Sequence, residues 1–295
     1  MTRWIHFTDL QLGLGKAEND PNDELAVEMV QTVLAQRPDF AIHAGDCIHG
    51  TAIDHEADEN PEYLGMHVEN WEMYRRTMAP LQTQCPVFSV VGNHDHTFPD
   101  LDTALFCHYH DRDGKPAYYS GTIDDVQVIC LDVVPRPHHG GFPAGTEQEV
   151  WLREELAKPK DARCRVVVGH YPIFMAPAIA HSVDASLLYD EENNAPGLLL
   201  PMLLAADVDL YLCGHLHIYE RARYEKLTQI IGGANRIAYE GLLDMTPSRF
   251  LQVQDERQSY VEFKIVDDQI EATVVSLAGE QIDAWSQPLN RPSRG

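Results

Sequence analysis

The sequence of 295 residues is poor in positive charge. It has 22 Lys and Arg residues against 46 Asp and Glu residues, which gives a formal net charge of −24 at pH 7. Nucleic-acid-binding surfaces hold the phosphate backbone with Lys and Arg, so this composition disfavours a nucleic-acid-binding protein. It equally disfavours adhesion to anionic membranes. A small phosphorylated substrate remains compatible with it, because metal ions can neutralise a phosphate group locally.

Long apolar runs and paired cysteine motifs are also missing. No apolar stretch approaches the roughly 20 residues that a helix needs to cross a bilayer. The first residues, MTRWIHFTDLQLG, lack the uninterrupted apolar segment of a secretory signal peptide. The six cysteines are scattered, with no CxxC pair. We therefore expect buried free thiols in a reducing compartment and a cytoplasmic protein without membrane contact.

What the chain does contain is the pattern of a layered α/β protein. Apolar runs alternate with helical patterns over most of its length, which is typical of strands that alternate with helices. The stretch 250–276 alternates in the manner of β-strands and predicts a second sheet. We therefore expect two sheets flanked by helices. The predicted organisation is a single domain over residues 1–280, followed by a C-terminal tail over residues 281–295.

Polar residues follow directly after five of the predicted strands. Ligands of open α/β sheets gather beyond the carboxyl ends of the strands, so these side chains are expected to share one site. Carboxylates, imidazoles and amide oxygens together are ligands for divalent ions such as Mn, Fe or Zn. The residues are Asp9 and Gln11 after WIHF, Asp46 after FAIHA, Asn93, His94 and Asp95 after VFSVV, His170 after RVVV, and His215 and His217 after DLYLC.

Taken together, these blocks resemble the calcineurin-like metallophosphoesterase superfamily. The motifs of that superfamily run DxH, GDxx, GNH(D/E), GH and GHxH, and four of the five are matched in full and in order between Asp9 and His217. The resemblance implies a four-layer α/β/β/α sandwich of two mixed β-sheets flanked by helices. It also implies a dinuclear centre of divalent metal ions (Mn, Fe, Zn or Mg) that hydrolyses phosphate esters.

The resemblance further implies a role for each matched residue. Asp46 would bridge the two ions. The other ligands would form two sets, with Asp9, Gln11 and His217 around the first ion and Asn93, His170 and His215 around the second. A metal-activated water would attack phosphorus, and His94 would assist departure of the leaving oxygen. Asp95 would either orient His94 or cap the loop that carries it.

Two positions depart from the motifs of the superfamily. Gln11 stands where DxH has histidine, and an amide oxygen is a weaker ligand that favours harder ions. His49 stands at the spacing of the tyrosine that purple acid phosphatases, one branch of the superfamily, use as an iron ligand in GDxxY. His49 therefore either ligates or contacts the first ion, or is a loop histidine hydrogen-bonded nearby. The absent tyrosine argues against a purple Fe(III) centre.

Several residues outside the motifs are further candidates. His6 and His43 lie within predicted strands and are expected to be core histidines. For each of the other candidates, two interpretations are open: the side chain faces the substrate, or it lies in a solvated loop. These residues are His96, His108, His110, Arg136, His138, His139 and His181.

The motifs leave three functions open. The segments GHYPIF and GHLHIYER resemble those of purple acid phosphatases and favour a phosphomonoesterase that acts on a small molecule or a phosphoprotein. The first alternative is a phosphodiesterase of the class III cyclic-nucleotide type, which shares the order of the motifs. The second is a non-catalytic binding scaffold on the same fold, which the loss of the first-motif histidine favours. The sequence does not indicate the oligomeric state.

Overall fold

The computed structural model describes residues 2–13, 22–50, 61–96, 102–134, 142, 144–173, 198–233 and 251–290, with the backbone alone over 61–64. The helices of this part of the chain are α1 (Asn22–Gln36), α2 (Pro61–Gln84), α3 (Ala104–Tyr109), α4 (Glu147–Ala157) and α5 (Leu199–Ala205). Its strands are β1 (Arg3–Phe7), β2 (Phe40–His43), β3 (Val87–Ser89), β4 (Tyr119–Ile123), β5 (Val126–Cys130), β6 (Cys164–Val168), β7 (Leu210–Cys213), β8 (Tyr219–Tyr224), β9 (Leu227–Ile231), β10 (Leu251–Asp255), β11 (Ser259–Val266), β12 (Gln269–Ser276) and β13 (Gln281–Pro288).

The strands form two mixed sheets. The six-stranded sheet has the order β13-β12-β11-β1-β2-β3, and its strands β1, β2 and β3 are parallel. The seven-stranded sheet has the order β10-β8-β9-β7-β6-β5-β4, and β5, β6, β7 and β9 are parallel. The remaining pairs in both sheets are antiparallel.

Three apolar cores hold these layers together. Between the sheets, the Trp4 ring stacks between those of Phe40 and Phe263, with centroids 5.6 and 5.1 Å away, and this core includes Leu212 of the opposite sheet. Helices α1, α2 and α3 pack on the outer face of the six-stranded sheet. Helices α4 and α5 pack on the outer face of the other sheet. The predicted four-layer α/β/β/α sandwich is therefore confirmed.

Local signals explain most elements, and the two that the sequence did not predict are helix α5 and strand β13. Helix α4 begins after Thr146, whose hydroxyl accepts a hydrogen bond from the Glu149 N–H in the manner of an N-cap. Helix α5 was not predicted, because its sequence LLPMLLA has no polar face that would reveal a helical period. Its Pro201 lies in the first turn, where a missing N–H is tolerated.

The predicted tail from residue 281 is wrong over residues 281–288, where the chain forms the edge strand β13. Most of its side chains are exposed or half-exposed, so the strand lacks the apolar alternation that identifies an inner strand. Asp283 of β13 accepts hydrogen bonds from the Tyr219 hydroxyl and from Nε of Arg221, both at 2.8 Å. These contacts tie β13 to the opposite sheet. Residues 291–295 of the expected tail lie outside the described residues.

A buried ion pair anchors the end of β13. Asp209, which is fully buried, accepts hydrogen bonds from the ammonium of Lys160 and from the Arg165 N–H, both at 2.8 Å, and from the Asn290 N–H. The Lys160 ammonium also donates to the carbonyl of Asn290 at 2.7 Å. One carboxylate thus connects Asn290, which follows β13, to β6 and to the segment before β7.

Two expectations from composition can be compared with the structure. All six cysteines are buried free thiols, as predicted. No helix in the described ranges is both long enough and apolar enough to cross a membrane.

The ion pair of Asp209 gives a test of stability. Asp209→Ala is expected to lower the free energy of unfolding by about 3–5 kcal/mol, because it leaves the buried ammonium of Lys160 without its counter-charge. Urea denaturation followed by fluorescence measures this change. Asp125→Ala is the matched control, because Asp125 is exposed and pairs with Arg163 at the surface. A loss at Asp209 of less than about 1 kcal/mol, the range of surface pairs, would contradict this account.

Candidate metal centre

The candidate site lies where the carboxyl ends of strands from both sheets meet. Asp9 follows β1, Asp46 follows β2 and Asn93 follows β3 in the six-stranded sheet. His170 follows β6, and His215 and His217 follow β7 in the seven-stranded sheet. Backbone hydrogen bonds join the loops within each sheet, from Asp9 N–H to the carbonyl of residue 45 at 3.0 Å and from the residue 214 N–H to the carbonyl of His170 at 2.9 Å.

The backbone turns sharply at five of the predicted residues. Their φ angles are positive, at 52° for Asp9, 42° for Gln11, 52° for Asp46, 75° for His215 and 54° for His217. This left-handed conformation is uncommon outside glycine, and it persists only where the surrounding structure holds it. The turns therefore begin immediately after the strands.

Asp46 lies at the middle of the site, and its two carboxylate oxygens face different groups. Oδ1 is 3.4 Å from Nε2 of His170. Oδ2 accepts a hydrogen bond from the Gln11 side-chain amide at 3.0 Å. Asp46 is almost completely buried, and its Oδ1 also accepts a hydrogen bond from the His94 N–H at 2.9 Å. The carboxylate is thus shared between two sets of potential ligands.

The second set of potential ligands surrounds the side-chain oxygen of Asn93. Nε2 of His170 and Nδ1 of His215 each lie 3.0 Å from this oxygen. The other ring nitrogen of His170, Nδ1, lies 2.8 Å from the carbonyl oxygen of Ala44. With one proton held at Nδ1, loss of the proton on Nε2 would free that nitrogen to ligate a metal, which is the arrangement of a metal-ligating histidine.

The first set lies on the other side of Asp46. Nε2 of His217 is 3.6 Å from Oδ1 of Asp9 and 3.4 Å from the side-chain amide nitrogen of Gln11. The Asp9 carboxylate also accepts hydrogen bonds from the Thr8 hydroxyl at 2.8 Å and from the backbone N–H of residue 215. Across the two sets, Asp9, Asp46 and His170 each offer a ligand atom within 4.8 Å of the others, a grouping that could hold a metal ion.

Burial of two neighbouring carboxylates dominates the electrostatics. Burial raises the pKa of Asp9 to about 7, with His170 lowering it and the charge of Asp46 raising it further. For Asp46, burial alone would raise the pKa, but His170 and His94 outweigh it and hold the pKa well below its usual range. Burial opposes the charge of His170, yet the two carboxylates raise its pKa to about 9. A site of this kind attracts positive charge, and a divalent cation supplies it.

His94 lies at the edge of the centre, on the side of the first set. Its Nδ1 faces the carbonyl oxygen of Gly50, and its Nε2 is 3.9 Å from Oδ2 of Asp46. The ring of His49 stacks against the ring of His94, with centroids 5.1 Å apart. Whether His49 also ligates an ion stays a prediction.

The prediction that Asp95 orients the imidazole of His94 is wrong. The Asp95 carboxylate instead accepts backbone N–H groups from Gly92 at 2.7 Å, Cys47 at 2.8 Å and Ile48 at 3.2 Å. These bonds join the loop after β3 to the loop after β2. The alternative reading, a residue that caps the loop, describes this geometry.

The other candidate histidines fall into three groups. His108 is exposed at the surface beside Asp113, and His110, at the end of helix α3, is half-buried with its Nε2 3.2 Å from the hydroxyl of Tyr74. Buried positions are found for His6, His43 and His96. Burial lowers the pKa of His6 to about 4 and that of His43 to about 3, as expected for neutral core histidines. The candidates Arg136, His138, His139 and His181 lie outside the described residues.

Sequence reasoning missed two parts of the site. The carbonyl group that faces His94 belongs to Gly50, and a backbone carbonyl has no signature in the sequence. The second part is Tyr171, whose ring packs against both His170 and His215. Its position directly after the GH motif could have suggested such a contact.

Comparison with known proteins points to a phosphoesterase, the kind of site that the geometry also indicates. The family model of calcineurin-like phosphoesterases matches residues 2–219. Probable purple acid phosphatase 20 of Arabidopsis thaliana is 29% identical over 171 residues, which is 54% of this chain and 38% of that protein. Purple acid phosphatase 17 of the same plant is 24% identical over 271 residues, covering 84% of this chain and 74% of that protein.

A solved structure has a similar fold. Purple acid phosphatase PPD1 from seeds of yellow lupin (Lupinus luteus) superimposes with a TM-score of 0.71 at 14% identity, covering 97% of this chain and 53% of that one. The match to the family model extends over well more than half of the chain and spans the positions of all five motifs, from Asp9 to His217. The chain therefore belongs to the calcineurin-like phosphoesterase family.

Proposed function

We propose that this protein is a phosphoesterase that depends on two divalent metal ions and hydrolyses phosphomonoesters of small molecules or of phosphoproteins. The observation that carries the proposal is the position of the Asp46 carboxylate, whose oxygens face two separate groups of potential ligands. The similarity to proteins named purple acid phosphatases supports the choice of monoesters.

The residues present fit a pair of divalent ions. Beside the shared carboxylate, one group offers a carboxylate, an amide and an imidazole, and the other offers an amide oxygen and two imidazoles. Such mixed nitrogen and oxygen ligands suit Mn, Fe or Zn. When bound, two ions supply an activated water and a clamp on the attacking and leaving oxygens of the phosphate ester.

His94 is positioned to handle the proton of the leaving group. The carbonyl of Gly50 faces its Nδ1 and so fixes a proton there, which directs Nε2 toward the centre. A protonated Nε2 can donate to the leaving oxygen as the bond to phosphorus breaks. The side chain is 14% exposed, so a substrate arriving from solvent can reach it.

The proposal as a whole is tested by metal reconstitution. The protein is stripped with a chelator and supplied singly with Mn²⁺, Fe²⁺, Zn²⁺ or Mg²⁺, and p-nitrophenyl phosphate is compared with bis-p-nitrophenyl phosphate as substrate. We expect turnover with at least one ion and faster hydrolysis of the monoester. Faster hydrolysis of the diester would instead support a phosphodiesterase. Binding of metal without turnover on either ester would support a scaffold.

His94→Asn separates catalysis from metal binding. We expect kcat to fall by about 10²–10⁴-fold, the usual contribution of a general acid, while two ions per chain are still bound. Steady-state kinetics and metal analysis of the same sample measure the two quantities. His108→Asn, which alters an exposed histidine on α3, is the control and should leave both unchanged. Loss of metal from His94→Asn would show that His94 is a ligand.

The position of Asp46 depends on the absence of a side chain at Gly92. A Cβ atom at residue 92 would overlap the backbone nitrogen and Oδ1 of Asp46. The backbone of Gly92 also donates to Asp95, so the loop cannot move away without losing that bond. The glycine of the GNHD motif is therefore required by contact with the Asp46 carboxylate, which would bridge the two ions.

Gly92→Ala should displace Asp46 and weaken metal binding by about 100-fold, at the upper end of what loss of a supporting contact costs. Calorimetric titration of the chelator-stripped protein with Mn²⁺ measures the effect. Gly65→Ala is the matched control, because a Cβ at this helical position meets nothing within 4 Å. It should leave Mn²⁺ binding unchanged. Equal Mn²⁺ affinities of the two variants would exclude the overlap as the reason for glycine.

A further inference from the structure

The two imidazoles of the second ligand group are held in different ways. Histidines that ligate metals usually donate their second ring N–H to a carbonyl or carboxylate, which fixes the orientation of the ring. His170 follows this rule, because its Nδ1 faces the carbonyl of Ala44 at 2.8 Å. His215 does not. Its Nδ1 is turned toward Asn93, and its buried Nε2 has no hydrogen-bond partner among the described residues.

The backbone conformation of His215 does not by itself fix the orientation of the imidazole ring. Its φ angle of 75° is the largest of the five positive angles at the site. A conformation of this kind is maintained by contacts around the residue rather than by its own preference. The contact that holds the imidazole must therefore be sought in packing.

Tyr171 supplies such a contact. Its ring centroid lies 4.2 Å from that of His215, at an interplanar angle of 65°. The same ring lies 5.5 Å from the imidazole of His170, at 64°. Both are edge-to-face arrangements, the favoured geometry for neighbouring aromatic rings. One tyrosine ring thus touches both imidazoles of the group.

Tyr171 is itself held firmly. Its carbonyl oxygen accepts a hydrogen bond from the hydroxyl of Tyr211 at 2.8 Å, and Tyr211 is completely buried. That hydroxyl fills the space where a Cβ of Gly169 would lie. The ring of Tyr171 also packs against the core under helices α4 and α5. The backbone of Tyr171 is therefore anchored, while its ring packs against both the core and the two imidazoles.

We infer that Tyr171 is a positioning residue for the second metal site, whose aromatic ring fixes the ligating orientation of His215 in place of a hydrogen bond that none of the described residues provides. The inference rests on the proposed function, since it concerns the ion that Asn93, His170 and His215 would hold. It assigns the role to the ring and not to the hydroxyl group.

The test compares Tyr171→Phe with Tyr171→Leu by calorimetric titration of chelator-stripped protein with Mn²⁺. We expect the phenylalanine variant to bind two ions like the wild type. The leucine variant should bind the first ion normally and the second about 10–100-fold more weakly, the range for loss of a group that orients a ligand. Tyr118→Leu is the matched control, because Tyr118 is also half-buried and packs on an aromatic ring, that of Trp151. It should bind both ions normally.

Thermal unfolding without metal shows whether each variant folds, and Tyr171→Met replaces Tyr171→Leu if the latter does not. The inference is overturned if the variants without an aromatic ring bind both ions with wild-type affinity. It is also overturned if the phenylalanine variant loses as much affinity as the leucine variant, or if both ions weaken equally. Failure of the wild-type protein to bind two ions would instead refute the proposed function.

Discussion

Two buried carboxylates, those of Asp9 and Asp46, impose the main constraint on this structure. Removing ionised groups from water is costly, and placing two of like charge side by side increases the cost. The surrounding chain offsets it with hydrogen bonds: His94 donates its backbone N–H to Asp46, and His215 donates its own to Asp9. His170 adds a positive partner. The loops at this end of the sandwich are shaped by the need to surround these carboxylates.

The loops can surround these carboxylates because a packed apolar core holds the two sheets in a fixed relative position. The ligand groups come from loops of both sheets, so a shift of one sheet would separate them. The stacked rings of Trp4, Phe40 and Phe263, together with the aliphatic side chains of the opposite sheet, fill the space between the sheets. Interiors of this density do not deform gradually. The apolar core therefore fixes the geometry of a site whose potential ligands are all polar side chains.

The sequence predicted the parts that depend on local pattern. Five short strands, each followed by polar residues, were enough to place Asp46 and Asn93 in one site. The second sheet was predicted from the alternating stretch 250–276, which the structure divides between the two sheets. Contacts made by backbone atoms or by packing were not predictable. The carbonyl of Gly50 and the backbone partners of Asp95 belong to this class, because no side-chain pattern encodes them. Strand β13 was not predicted, because an exposed edge strand does not need the alternation of apolar residues that identifies an inner strand.

The position of β1 in its sheet has a consequence for the order in which the molecule is built. Strand β1, near the start of the sequence, lies between β2 and β11. Its neighbour on one side is therefore the late segment Ser259–Val266. During synthesis, the six-stranded sheet cannot close until that late segment has left the ribosome. The loop that carries Asp9 is therefore supported by a pairing between segments from opposite ends of the described chain.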